Sequence, residues 1–318
     1  MEEQRHSGWQ IADIVVIGSG LLTSALALLV VYWIGRSSNE DFQIMGWYAA
    51  FIFPVGAMLV GLVAGSGYGL MSWITGRKIT GTLLIVIVLL LALSFAAAQW
   101  IEFRSLRLED FTGKAVDFFR YYDVTTRSMT FKASHAKTPS GSLGLFGYLF
   151  RLLELAGFTL GGLIIPLAFK AKPYCEPCLT YMRKAGDWWL PAAVPARKIA
   201  KKDKEALQVY EQEMKEAYEK SLAQLNSLNT ALSERNTSQF QSILGQYGLE
   251  AKAVRKLQRR IRLTLSTCPK CRAGVLDIQI IDGQGDKTKI TKLGKELVDA
   301  GFTTALGNLQ PRPNMKIG

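Results

Sequence analysis

The sequence predicts an α-helical polytopic membrane protein, with four transmembrane helices and a cytosolic α+β tail containing a zinc ribbon-like site. Three observations predict it. Four stretches are long and apolar enough to cross a bilayer, which takes about 20 residues. Nearly all the excess positive charge follows the last of them: from Lys170 onward there are 26 Lys and Arg against 15 Asp and Glu, whereas residues 1–169 hold 12 against 11. The chain's four cysteines form two Cys-x-x-Cys pairs, Cys175/Cys178 and Cys268/Cys271, both in that basic tail. A composition 49% hydrophobic is in keeping with the membrane reading.

Residues 1–10 form a short N-terminus without net positive charge, and the apolar run after it is too long for the core of a signal peptide. The first span, residues 11–34, is therefore expected to stay as a helix. The second covers residues 46–74 and lies within a charge-free stretch from Phe42 to Gly76. Ala57, Gly61, Gly65 and Gly69 recur there every four residues, which puts four small side chains on one helix face where another backbone can approach. Gly65-Ser66-Gly67-Tyr68-Gly69 lacks the Lys-Ser/Thr of a phosphate-binding loop, so helix packing is the better reading. The third span, residues 79–100, has no such ladder and is expected to face lipid. Spans one to three make up residues 11–101.

Residues 102–142 are expected outside the cytoplasm as a small amphipathic subdomain. Phe111, Ala115, Phe118, Phe119 and Tyr122 follow helical spacing from a start at Glu109 or Asp110, and residues 125–133 read as extended. The fourth span, residues 143–170, repeats the small-residue motif at Gly157 and Gly161. It also carries Arg151 and Glu154, three apart on one helix face. Charge inside a span is costly, so the pair is expected either to satisfy itself or to mark a relay or pore wall.

Orientation follows from basic residues in short connections. Arg77 and Lys78 sit between spans two and three, and Lys170 and Lys172 follow span four. Both place the N- and C-termini in the cytoplasm of a multi-pass cell-membrane protein, with a bacterial inner membrane as the setting.

The tail, residues 171–318, begins with Cys175 and Cys178. Trp188 and Trp189 follow, expected against the inner leaflet beside anionic headgroups. Residues 202–232 read as a long helix whose stripe of Leu207, Tyr210, Met214, Tyr218, Leu222 and Leu225 offers a pairing face. A second helix is expected over residues 238–256. Alternation of Ile261, Leu263 and Leu265 with polar residues then predicts a strand into Cys268-Pro269-Lys270-Cys271, and residues 275–281 predict another. A last short helix is expected over residues 292–300.

Two tight Cys-x-x-Cys turns offer four thiolates, a full tetrahedral shell for a structural Zn2+. Cytosolic thiols stay reduced, which favours metal over disulfides. In having four spans and two cysteine pairs, the chain resembles in architecture the quinone-coupled disulfide oxidoreductases of bacterial membranes, but the charge rule puts its cysteines on the opposite side. Lys252, Arg255, Lys256, Arg259, Arg260 and Arg262 form a dense basic run beside the ribbon, and such a run attracts nucleic acid or anionic lipid.

Only two histidines occur, and no zinc-protease, serine-hydrolase or nucleotide-loop motif. The expectation is a non-catalytic membrane scaffold, sensor or accessory subunit that recruits a cytosolic partner, with homo-oligomers built on the small-residue faces. The alternatives are a thiol–disulfide oxidoreductase, a membrane-tethered nucleic-acid binder and a transporter or channel component.

Overall fold

The computed structural model describes residues 11–37, 44–49, 53–106, 116–130, 141–197, 199–200, 203–247, 254–284 and 288–307. Two compact units divide the chain, Met1–Lys172 and Pro173–Gly318.

In the first unit, α1 (Ile11–Ser37), α2 (Val55–Thr75), α3 (Gly81–Leu106) and α5 (Phe146–Lys170) are each long and apolar enough to cross a membrane. Gly76 ends α2 in the left-handed region at φ 68° and donates its N–H to Trp73 O, a turn that glycine makes without steric cost. The helix most enclosed by its neighbours is α2, which packs against both α1 and α5. Where it meets α5 the contact is backbone on backbone. A Cβ on Gly61 would lie 1.9 Å from Phe158 O, and one on Gly65 would lie 2.1 Å from Gly162 O. Toward α1, Thr23 Oγ1 and Ser24 Oγ both donate to Ala64 O, at 2.7 and 3.2 Å. Meanwhile α3 buries Leu83, Ile87, Leu91 and Phe95 and turns Ile85, Leu89 and Leu93 outward.

One end of this bundle gathers charge. Buried Asp13, near the start of α1, accepts two bonds from Arg77 in the α2–α3 turn, at 2.6 and 2.9 Å. Trp73 stacks on Phe169 at the same end, beside Lys170. Asp13 lies in the first turn of α1. The ion pair shows that it ties α1 to the α2–α3 turn.

A short amphipathic helix, α4 (Phe118–Arg127), lies toward the other end. It starts at Phe118 because Asp117 caps it, accepting the Arg120 N–H at 3.0 Å. The sequence reading of residues 125–133 as extended is corrected for its first part: residues 125–127 are helical. Thr125 Oγ1 donates back to Tyr121 O, and Arg127 pairs with Asp123 one turn earlier, so local bonds overcome the β-branched bias. The expected aromatic face also shifts. Phe118, Tyr121 and Tyr122 pack inward while Phe119 is 82% exposed; Phe111 and Ala115 lie outside the described residues.

The second unit opens with a two-stranded ribbon, β1 (Tyr174–Cys175) and β2 (Thr180–Tyr181). A four-stranded antiparallel sheet follows in the order β3 (Arg183–Pro191), β4 (Arg259–Thr267), β5 (Gly274–Asp282), β6 (Lys289–Val298). Between β3 and β4 come α6 (Lys204–Ser233) and α7 (Thr237–Tyr247), and α8 (Ala300–Gly307) ends the described chain. Alternation puts Trp188, Leu190, Ile261, Leu263, Leu265, Leu276, Ile278 and Ile280 on one sheet face. The end of α6 (Leu225, Leu228, Ala231), Phe240 and Leu244 of α7, and Phe302 and Leu306 of α8 cover it.

Three expectations are corrected here. Trp188 and Trp189 are buried strand residues rather than a leaflet contact, since alternation sends them into two cores on opposite sheet faces. Residues 292–298 pair along β5 as strand, and helix begins only at Ala300, where Asp299 Oδ1 accepts the Phe302 N–H. The α6 stripe is not free for pairing along its length, because Tyr218 and Leu225 pack into the unit's own core. The expected continuation of α7 to residue 256 falls largely on residues 248–253, outside the described residues, and Arg255 and Lys256 beyond them form a turn.

Candidate metal centre

Two turns of the second unit bring the cysteines together. Cys175 ends β1, and the turn to β2 carries Cys178. Cys268 follows β4, and the turn to β5 carries Cys271. Cys175 and Cys271 are 96 residues apart in sequence, yet their sulfurs lie 3.6 Å apart. All four Sγ atoms lie within 4.8 Å of one another. A disulfide needs about 2.05 Å, and all four cysteines are free thiols. Four sulfurs about 2.3 Å from one metal would be separated by roughly 3.8 Å along each tetrahedral edge. The donor set and its spacing therefore fit a metal ion.

The two half-sites share a backbone device. In each, the residue after the second cysteine is left-handed without being glycine: Leu179 at φ 47° and Arg272 at φ 61°. The second turn is closed by Arg272 N to Cys268 O at 3.0 Å and Cys268 N to Ala273 O at 2.8 Å. Left-handed backbone costs a residue with a side chain on the order of 1–2 kcal/mol, so the strain falls where the sulfurs must converge. Lys270 links the half-sites: its N–H points at Cys268 Sγ at 3.4 Å, and its Nζ donates to Cys178 O at 3.1 Å. Sequence reasoning missed Leu179, Lys270 and Arg272, although the absence of glycine after each pair was a visible signal.

Burial is graded across the cluster. Cys175 and Cys268 are buried under Met182 and Val275, Cys178 is half-buried, and Cys271 is exposed. Burial pushes the Cys175 thiol up to about 12. Burial also acts to raise Cys268, but the N–H groups of Cys271 and Lys270, together with the thiols of Cys271 and Cys175, outweigh it and hold that thiol at about 7.

The other residues singled out in the sequence fall into three places. Gly61, Gly65 and Gly69 of α2 face α5, while Gly157 meets Pro54 and Gly161 meets Met58 O; Ala57 is fully buried beside them. Arg151 and Glu154 form a buried pair at 3.0 Å, with Arg151 also over the Tyr122 ring. The basic run does not form one patch. Strand alternation turns Arg259 toward Tyr218 and Asp282 on the core side, and sends Arg260 and Arg262 to the opposite face. Arg260 is buried and donates to Leu257 O and Gly283 O at 2.7 and 2.9 Å. Arg262 binds Asp187 through two bonds, at 2.8 and 3.2 Å, and Lys184 and Arg255 share that carboxylate. Burial opposes ionisation of Asp187, yet Arg262 and Lys184 hold its carboxyl below the usual range. Arg255, Arg260 and Arg262 also surround the Trp189 ring at 5.1, 5.9 and 5.2 Å. Lys256 is exposed, and Lys252 lies outside the described residues. Asp187 and Trp189, which organise these arginines, were not read from the sequence as site residues.

No protein-family model, curated protein or solved structure matches this chain.

Proposed function

We propose that this protein is a non-catalytic integral membrane scaffold, sensor or accessory subunit, and that its second unit, stapled by a structural zinc, recruits a cytosolic partner. The observation that carries the reading is the convergence of four free cysteine sulfurs within 4.8 Å. Four thiolates complete a tetrahedral shell and leave no position for substrate, so the metal holds chain segments together rather than performing chemistry. A tetrahedral all-sulfur set suits zinc among the divalent ions.

The membrane setting is supported by the four long apolar helices. The bundle end that carries Asp13, Arg77 and Lys170 holds both the start of α1 and the end of α5. Basic residues concentrate on the cytoplasmic side of bilayers, which favours cytoplasmic N- and C-termini. The basic second part of the chain suits a leaflet of anionic headgroups, as in a bacterial inner membrane. Homo-oligomers, or assembly with a larger membrane complex, would use helix faces left exposed, since α5 of the same chain occupies the small-residue face of α2 on which oligomers were expected.

Elemental analysis and thiol titration of the full-length protein, purified in detergent under reducing conditions, test the metal. The expected result is one zinc per chain, lost in both Cys175→Ser and Cys268→Ser. Two readily formed disulfides without metal would overturn the reading and favour thiol–disulfide exchange. Absorbance of an iron–sulfur chromophore would overturn the zinc assignment.

A further inference from the structure

Of the two outer strands of the four-stranded sheet, β3 and β6, the second pairs only with β5 among the described residues. It is 10 residues long, and nearly all its side chains are exposed. A long open edge presents unpaired N–H and C=O groups to any extended chain. Apolar side chains lie along it: Ile290 is 57% exposed, Leu293 46% and Leu297 85%. Register with β5 sets Ile290, Lys292, Lys295 and Leu297 opposite Ile281, Gln279, Asp277 and Val275, on the sheet face away from the α6–α8 core. An irregularity in that pairing keeps Lys292 and Lys295 on one face although they are three residues apart.

We propose that β6 is a docking edge for an extended acidic segment of a partner protein, added to the sheet as a fifth strand. Main-chain bonds would give affinity, with carboxylates against Lys292 and Lys295 and apolar side chains against Ile290 and Leu297 giving selectivity. The inference rests on reading the second unit as the recruiting part, and it replaces the α6 stripe, whose later residues the core already occupies.

Charge chooses the occupant. In two-fold self-pairing centred on β6, Lys292 of one copy falls opposite Lys295 of the other, and like charges directly opposite destabilise a sheet. The 26 Lys and Arg against 15 Asp and Glu from Lys170 onward also repel a second copy and attract an acidic strand. The chain's own last residues, 308–318, contain Arg312, Lys316, Pro311 and Pro313 and no acid, which gives them the wrong charge and a poor strand backbone. The same two lysines thus reject self-association and select the partner.

The test uses the full-length protein in nanodiscs and fluorescence anisotropy of a labelled peptide of alternating Glu and Val, matched to the 10 residues of β6. Saturable binding is expected. Lys292→Glu with Lys295→Glu should weaken it roughly tenfold, because two cross-strand pairs change from attraction to repulsion, and should let the alternating Lys–Val peptide bind instead. N-methylation of alternate amides of the acidic peptide, tried in both phases, should abolish binding in one phase. No binding of the acidic peptide, or equal binding of both N-methylated forms, overturns strand addition. An amine cross-link joining Lys292 and Lys295 of isotopically distinct copies would assign the edge to self-association and equally overturn it. Zinc content is measured on each sample, so failure with the metal retained sinks this inference alone, whereas absence of metal sinks the reading beneath it.

Discussion

In the helical unit, α2 and α5 meet backbone to backbone: Gly61 and Gly65 of α2 lie against the carbonyls of Phe158 and Gly162 of α5. In the sheet unit, helices meet one another through large side chains, such as Phe240 edge-on to Phe302 at 5.0 Å, and two turns meet through four sulfurs. On the proposed membrane placement of the helical unit, solvent accounts for the difference. Lipid tails are as apolar as leucine, so membrane helices gain little from hiding leucines and rely on close approach and internal polar bonds. In water, burying apolar area drives folding at about 25 cal/mol per Å², and a small domain adds a staple where its core ends. The helical unit accordingly turns many leucines and isoleucines outward, while the sheet unit encloses a continuous core of them.

This contrast can be broken most forcefully by removing the proposed zinc. Structural zinc contributes on the order of 10 kcal/mol to folding small sites, so chelation should abolish the sheet unit's thermal transition while the helical signal of α1, α2, α3 and α5 persists in circular dichroism. Loss of both signals together would refute the division. Metal uptake must displace the proton of Cys175, held up to about 12, and that of Cys268 once pH falls below about 7. Apparent affinity should therefore drop as pH falls, with proton release on binding.

A second substitution strikes only the glycine contact. Gly65→Leu sets a side chain where even a Cβ would be 2.1 Å from Gly162 O. Forcing α2 from α5 should cost about 3 kcal/mol, at the upper end for overpacking, read as a lower melting point of the bundle in detergent with zinc content unchanged. An unaltered bundle would show that the α2–α5 contact is not what holds it.

The smallest effect sharpens the account of the metal site. Leu179→Gly and Arg272→Gly relieve left-handed strain at exposed positions. Each should raise the sheet unit's stability by about 1 kcal/mol, less whatever flexibility glycine adds to the unfolded chain. Destabilisation in a denaturant titration would show that these side chains hold the turns by contacts of their own.

Much of this architecture was legible in the residues because it is local. Runs of apolar residues marked α1, α2, α3 and α5, and alternation around Ile261, Leu263 and Leu265 marked β4. Both Cys-x-x-Cys pairs announced their own turns. Errors arose where neighbours outvoted local preference. Thr125 was drawn into α4 by a bond to Tyr121, and residues 292–298 became strand because β5 offered a partner.

By itself, then, the sequence determined which segments are apolar enough for a bilayer, where the excess charge lies and which four residues could hold a metal. These follow from composition and from periods of two and 3.6 residues, which need no distant partner. Only the tertiary structure decided that α2 packs on α5 through glycine, that Asp13 answers Arg77, and that strand alternation splits a basic run between two faces. It alone brought Cys175 within 3.6 Å of Cys271 across 96 residues. Pairing between distant segments depends on which surfaces remain unsatisfied after local folding, and no short window of sequence contains both sides of such a contact.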